Sequence, residues 1–595
     1  MRLLALGLAV FGSACAADPR PIPADDVSGQ KPRSSGADVV AQGEASGLER
    51  PEPHPAVAVG SRLVAYVGPR FVTGEAFIPE ARAVIADETG RVRALLKSVP
   101  PPGAYETVQL PGVLAVAGLH DAHLHIEGIG AAREHVDLIN ARRPAELGER
   151  VAAFVKQHPT ASFVQGRGWD QSRFPNQAFP SWRDLEGAAA VPVLLKRVDG
   201  HAAVANRQLL TLAGISRDTK DPPGGRLLRD ASGEPTGVFV DNAIDLLTAR
   251  LPTPADADRQ RWLLEGMAAC ADAGDVAVAD MGMSVASYRV LARLDDEGRL
   301  PVRVFVYLDG TEDAAYDLLG TRPDSQRLYL MGVKLYVDGA LGSRGAALIE
   351  DYADEPGKRG LLLTEPEMLA RRIERVHKKG FQAALHAIGD RGNQIVLDVL
   401  AQHHDPAIQD RVEHAQVVAA RDFRRFAELG LTASMQPTHA TSDMRWAADR
   451  LGQRRLEGAY AWRTFQHHGV VLAFGSDAPV EDERPSWGIY AAVTRTDHDG
   501  RPQNGFLPEQ KLGQTAVLRA FAEGAARAVN QERQMGALTP GMYFDVTLFD
   551  TDAAAATEAG DASAWLRTRT VGTVVGATVR RSRSFEGTKA ALEKD

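Results

Sequence analysis

The sequence predicts an α/β chain. Its core is a (β/α)8 TIM barrel, with a small β-sandwich domain made from both chain termini and a large insertion after barrel strand 1. Three observations predict this. Eight short apolar, β-branched runs alternate with helical stretches, the pattern of parallel strands joined by helices. Both ends of the chain read instead as short alternating strands with turn punctuation. The gap between the first and second apolar runs is far too long for one strand and one helix, so it must hold an insertion.

In chain order, the first element is a leader. Arg2 precedes an apolar stretch at 3–11 and the small residues Gly12, Ser13 and Ala14, which reads as a secretory signal over residues 1–14, too short to span a bilayer. Cys15 directly after it resembles the lipobox cysteine of bacterial lipoproteins. This predicts lipidation at Cys15 and a chain exported and lipid-anchored to the bacterial cell envelope, in the periplasm or outer membrane. Gly12 departs from the large aliphatic residue usual there, and a plain cleaved signal or an accidental apolar leader is the alternative. Residues 15–55, rich in Pro, Ser, Gly, Ala and charge, read as a disordered tether.

Residues 56–112 and 536–582 are assigned to the composite β-sandwich. Residues 113–535 are assigned to the barrel, with strands at 113–119, 276–281, 302–308, 332–337, 382–386, 411–414, 432–436 and 470–475. The insertion, 140–260, holds a helix near 144–157, strand-like runs at 163–166 and 191–197, and a hairpin at 225–240.

The 595 residues carry a formal charge of -9 and no basic run interleaved with aromatics, which argues against nucleic acid as a partner. A lipid anchor is the only membrane contact expected. Of the two cysteines, Cys270 sits among alanines and reads as a buried inert thiol, so neither a disulfide framework nor a cysteine nucleophile is expected. A homodimer stands open.

The chemistry-bearing residues cluster at predicted strand ends. His123 and His125 follow the first run, and residues two apart in an extended chain point to one side, so both imidazoles can face one cation. With 16 histidines in the chain, such a pair alone is weak. Lys334 lies inside an apolar strand, either paired with a barrel carboxylate or carbamylated by carbon dioxide into an anionic ligand. His386 and His414 end consecutive strands, and Asp477 follows the last one, where a helix N-cap is the bland reading. Together they place His-x-His, Lys, His, His and Asp around one barrel mouth.

These stretches, 118–125, 332–344, 386–391, 412–416 and 475–480, resemble the amidohydrolase superfamily. They are most similar to amidohydrolase family 3, the branch of YtcJ-like proteins and N-substituted formamide deformylases. The resemblance covers nearly all of 56–582, and Leu119-His120 depart mildly from the wider pattern. It implies one divalent ion on His123, His125 and Asp477, a second on His386 and His414, and Lys334 bridging them as a carbamate; one ion or two stays open. Four imidazoles with oxygen ligands favour zinc. In the insertion, Arg197 and His201 resemble a motif near the substrate and are candidates for binding it, the alternative being a charged rim that helps the insertion dock. Gln436, Pro437 and the 342–344 loop are further candidate pocket lining.

The expected function is hydrolysis of a non-peptide carbon-nitrogen bond in a small-molecule substrate, an N-substituted amide or formamide, by metal-activated hydroxide with Asp477 shuttling the proton. Alternatives on the same metal core are an esterase, a cyclic amidase or a deaminase. Of another class is a catalytically silent, surface-anchored binding or regulatory protein.

Overall fold

A computed structural model describes residues 62–74 and 80–583. The predicted signal, Cys15 and the 15–55 tether lie outside the described residues. Among the described residues no helix is long and apolar enough to cross a membrane.

Eight parallel strands follow one another around the barrel: β1 Leu119–Leu124, β2 Asp275–Met283, β3 Arg303–Asp309, β4 Leu328–Tyr336, β5 Gln382–Ala387, β6 Arg411–His414, β7 Thr432–Met435 and β8 Val471–Phe474. Each pairs with the next in sequence. Strands buried on both faces read as near-continuous apolar runs, which is why seven of the eight stand where the sequence puts them.

The first does not. The predicted strand at 113–119 divides at Gly118 into Leu114–Ala117, which pairs antiparallel with Val546–Phe549 in the small sheet, and β1. A Cβ on Gly118 would lie 2.5 Å from Val276, so only glycine lets the chain pass between sheets there. One uninterrupted apolar run thus concealed two strands.

The small sheet joins both ends of the described chain. Leu63–Val72, Glu80–Asp87, Val92–Leu96, Glu106–Gln109 and Leu114–Ala117 meet Val546–Phe549, Thr570–Val575 and Thr578–Arg581. Between β1 and β2 lies a six-stranded sheet in the order Gly225–Arg229, Pro235–Asp241, Ala202–Ala205, Val193–Arg197, Val164–Trp169, Val136–Asp137. Helix Ala145–Gln157 accompanies it, and Gly225–Arg229 with Pro235–Asp241 form the expected hairpin. Cys270 is buried in helix Asp256–Ala273, as expected of an inert thiol.

The seam between β8 and β1 sets the site. Asp477 N donates to His123 O (2.7 Å), His125 N to Ala478 O (2.9 Å), and Ser476 N to the Asp121 carboxylate (3.0 Å). A Cβ on Gly475 would stand 2.5 Å from both Asp121 Oδ1 and His123 N, so the close approach requires glycine.

Candidate active site

Side-chain alternation along β4 to β6 turns Lys334, Tyr336, His386, Arg411 and Glu413 inward, while Val333, Leu335, Leu385 and Val412 join the outer apolar layer. Register puts Tyr336, His386 and Glu413 at one level near the C-terminal mouth, with Lys334 beside Ala384 and Arg411 one level below. His414 would face outward in a regular strand. Its backbone takes φ 72° instead, and Asp477 takes φ 61°, left-handed conformations that a side-chain-bearing residue rarely adopts. Such positions cost about 1–3 kcal/mol and concentrate at functional sites.

The structure brings the six predicted ligand residues together. His125 Nε2 lies 3.1 Å and His123 Nε2 3.4 Å from Asp477 Oδ1. The rings of His123 and His414 are 4.7 Å apart and those of His386 and His414 4.5 Å. Lys334 Nζ sits 3.5 Å from His123 Nε2.

The buried imidazoles of His123, His386 and His414 are neutral. Burial and the Lys334 ammonium push His123 down to about 4. Burial holds His386 and His414 well below the usual histidine value, reinforced by neighbouring basic groups. Burial opposes the charge on Asp477, but His123, His125 and His414 around it keep its carboxyl well below the usual range. Burial also brings the Lys334 amine down to about 8.

Outer partners fix the ring orientations. His123 Nδ1 donates to Glu413 Oε2 (2.6 Å) and His414 Nδ1 to Gln436 Oε1 (2.8 Å), leaving each Nε2 lone pair free. Glu413 is fully buried and ion-paired with Arg411, which also donates to Ala122 O and Ser434 Oγ. Burial opposes the Glu413 charge too, but Arg411 and His123 hold its carboxyl far below the ordinary range.

His386 Nε2 is buried without a hydrogen-bond partner. It lies 3.8 Å from Asp338 Oδ1, and the set of imidazoles around the single carboxylate of Asp477 fits a divalent metal. His123, His125 and Asp477 offer ligand atoms within 4.8 Å of one another, as do His414, His439 and Asp477.

His439, in helix Pro437–Asp443 after β7, carries no sequence prediction, nor do Glu413 and Tyr336 as site residues. His439 Nε2 lies 3.7 Å from Asp477 Oδ2 and is also buried without a hydrogen-bond partner. Its signal was a histidine three residues after Gln436, one turn into a helix at a strand end.

The two insertion candidates separate. His201 reaches the site: its ring is 5.2 Å from that of His386, and its Nδ1 is 2.7 Å from Asp241 Oδ1. Arg197 instead donates from Nε to Gln171, from Nη1 to Asp199 and from Nη2 to Asp170. Its guanidinium lies where a side chain on Gly342 would be, 2.8 Å from that Cβ position, which joins the insertion to the loop after β4.

A family model described as the amidohydrolase family matches residues 106–579. Putative amidohydrolase YtcJ of Bacillus subtilis (strain 168) is 30% identical over 457 residues, covering 75% of this chain and 86% of that protein. Protein LONG AFTER FAR-RED 3 of Arabidopsis thaliana is 32% identical over 464 residues, covering 75% and 79%. N-substituted formamide deformylase of Arthrobacter pascens is 26% identical over 473 residues, covering 75% and 85%. Among solved structures, an uncharacterized metal-dependent hydrolase from Pyrococcus horikoshii superposes with a TM-score of 0.66 at 27% identity, over 81% of this chain and 96% of that one. With its matched span, its barrel and its mouth of imidazoles around Asp477, this chain belongs to the amidohydrolase family of metal-dependent hydrolases acting on carbon-nitrogen bonds.

Proposed function

We propose that the chain hydrolyses the non-peptide carbon-nitrogen bond of an N-substituted amide, formamides included. The observation that carries this is the ring of imidazoles converging on one ionised carboxylate at the barrel mouth. The name of the Arthrobacter pascens relative supports the substrate class.

His123, His125 and Asp477 would hold one zinc ion, and His386 with His414 a second, with Lys334 as a carbamate between them. Bound, such ions lower the pKa of a water and polarise the scissile carbonyl. The neutral fraction of an amine brought down to about 8 can add carbon dioxide, forming the N–C bond and releasing one proton. Asp477, ionised at neutral pH, accepts the water's proton on its carboxylate and returns it to the leaving nitrogen. His201 is oriented by Asp241, whose carboxylate outweighs burial and raises the imidazole's pKa, so it serves as donor to the carbonyl oxygen as negative charge develops there. Tyr336, its ring 5.7 Å from that of His386 and tilted by 43° to it, closes the inner wall. We further propose export and lipid anchoring through Cys15, read out by incorporation of labelled palmitate in the wild type and not in Cys15→Ala. The open question of a homodimer is decided by light scattering.

The test is metal analysis of the purified protein with hydrolysis of N-formyl amines, N-acyl amino acids, esters, cyclic amides and aminated rings, with and without chelator. Chelator-sensitive release of formate or acid from the amides is expected. Chelator-sensitive turnover confined to esters, cyclic amides or ring amines refutes the substrate class. Absence of both metal and turnover favours a silent regulatory protein, a reading with some support in the name of a further relative, the exoenzymes regulatory protein AepA of Pectobacterium carotovorum, 25% identical over 356 residues.

A further inference from the structure

Two basic side chains of the insertion lack an acidic partner. Arg167 lies on Val164–Trp169 and Lys196 on Val193–Arg197, parallel strands in which the two residues stand opposite each other. Residues in register project to the same side of a sheet, so two half-buried cations stand side by side. Among the described residues neither forms an ion pair. Of the acids whose charge reaches the pair, Asp199 is committed to Arg197, and Asp245 acts on Lys196 without forming an ion pair with it. Arg167 donates from Nε (3.0 Å) and Nη2 (2.9 Å) to the carbonyl of Val198, which leaves its Nη1 group without a partner.

Adjacent, partly desolvated like charges are costly unless an anion joins them. Burial and the Arg167 charge push the Lys196 amine down to about 8, and burial lowers Arg167 as well. Arg167 of the pair also approaches the reaction centre. Arg167 Nη2 lies 3.3 Å from where a Cβ on Gly200 would stand, and Gly200 precedes His201, whose ring looks onto His386. The charge on Asp477 reaches Arg167 as well.

We propose that Arg167 and Lys196 form a subsite for a carboxylate carried by the substrate, so that the preferred substrates are acylated amino-acid-like anions rather than neutral amides. In naming a substrate this rests on the hydrolase reading above. A carboxylate has two acceptor oxygens, one for the free Nη1 group and one for the ammonium, and its charge relieves the repulsion between them. The neutral glycine backbone at 200 leaves room beside the guanidinium.

Calorimetric binding of 4-phenylbutanoate against 4-phenylbutanol to the purified, metal-loaded protein tests the subsite, since neither probe has a scissile bond. The wild type should prefer the carboxylate. That preference should fall roughly 10- to 100-fold in Arg167→Gln and, independently, in Lys196→Met, the range set by a charge-assisted hydrogen bond. Metal content and unfolding midpoint are read alongside. Any carboxylate affinity due to the metals persists in both variants, so only the subsite's share is lost. No preference in the wild type, or a preference undiminished in either variant, overturns the proposal. Failure of all amide hydrolysis refutes the proposed function, while this ratio still decides the subsite.

Discussion

Glu413→Gln removes one charge from the barrel interior while keeping shape and one acceptor. The native carboxylate is fully buried between Arg411 and His123 Nδ1, the latter at 2.6 Å. The variant leaves the Arg411 guanidinium with only neutral partners, Ala122 O and Ser434 Oγ. Taking one partner from a buried pair costs about 3–5 kcal/mol. Loss of the carboxylate that orients a ligand histidine costs about 10- to 100-fold in metal affinity, or about 1.4–2.7 kcal/mol. The pH dependence has a definite sign. Because the folded pKa of Glu413 is depressed, its contribution is complete above the unfolded value of about 4.3 and fades as pH falls toward the folded one. The variant's deficit should therefore be largest at neutral pH and shrink in acid. Chelator competition with a zinc-sensitive dye measures the affinity, and urea unfolding at neutral and acidic pH measures the stability. Native metal affinity together with an unchanged unfolding midpoint would refute the role given to Glu413.

Asp477→Asn keeps the size of the side chain but cannot take a proton, and turnover of a formamide should fall roughly 10²–10⁴-fold with the fold intact by circular dichroism; near-native turnover moves the proton shuttle elsewhere. Gly475→Ala forces a methyl into the seam between β8 and β1, where it would lie 2.5 Å from His123 N, and should destabilise by about 1–3 kcal/mol and reduce metal content; an unchanged unfolding midpoint with full metal content contradicts the packing argument. His377 pairs with Asp410 at 2.9 Å, and although burial opposes its charge the carboxylate raises its pKa. Its stabilisation is thus complete below about 6.5 and lost as pH rises through the raised folded value. His377→Gln should destabilise more at pH 5.5 than at pH 8.5, an equal loss at both arguing against the charged pair.

What was legible in the sequence depended on how each residue is placed. Candidate ligand residues at or just past the ends of barrel strands, His386, His414 and Asp477, stand out because a polar group closing a doubly buried strand sits at the mouth by geometry alone. Lys334 was legible for the same reason, as a charge inside such a run. The first strand was misplaced because Gly118 joins two strands of different sheets without a polar break between them. His439 escaped because its approach to Asp477 depends on where a helix after β7 is packed, and that is set by tertiary structure. The ion pairs that hold Arg197 are equally invisible along the chain, since Asp170 lies on a neighbouring strand's end.

Glu413 shows most clearly why one kind of residue in this site is readable and another is not. A strand of four residues, Arg411–His414, carries three ionisable side chains. Alternation sends Arg411 and Glu413 inward together, where each supplies the other's counter-charge, and the left-handed turn at His414 redirects a third side chain that alternation alone would have sent out to the helices. The charge on Glu413 is what keeps the His123 proton on Nδ1, and the amide of Gln436 does the same for His414. The Nε2 atoms of His123 and His414 are therefore held as lone pairs, the form in which an imidazole would take up a metal ion. The cost of holding buried charge and a strained backbone falls on the apo fold, so much of the stability of this region should be recovered only when the donors are filled. Unfolding of the metal-loaded protein should accordingly exceed that of the stripped protein, rising with free zinc as RT ln(1 + [Zn]/Kd), and a midpoint independent of zinc would show that the donors do not form a metal site.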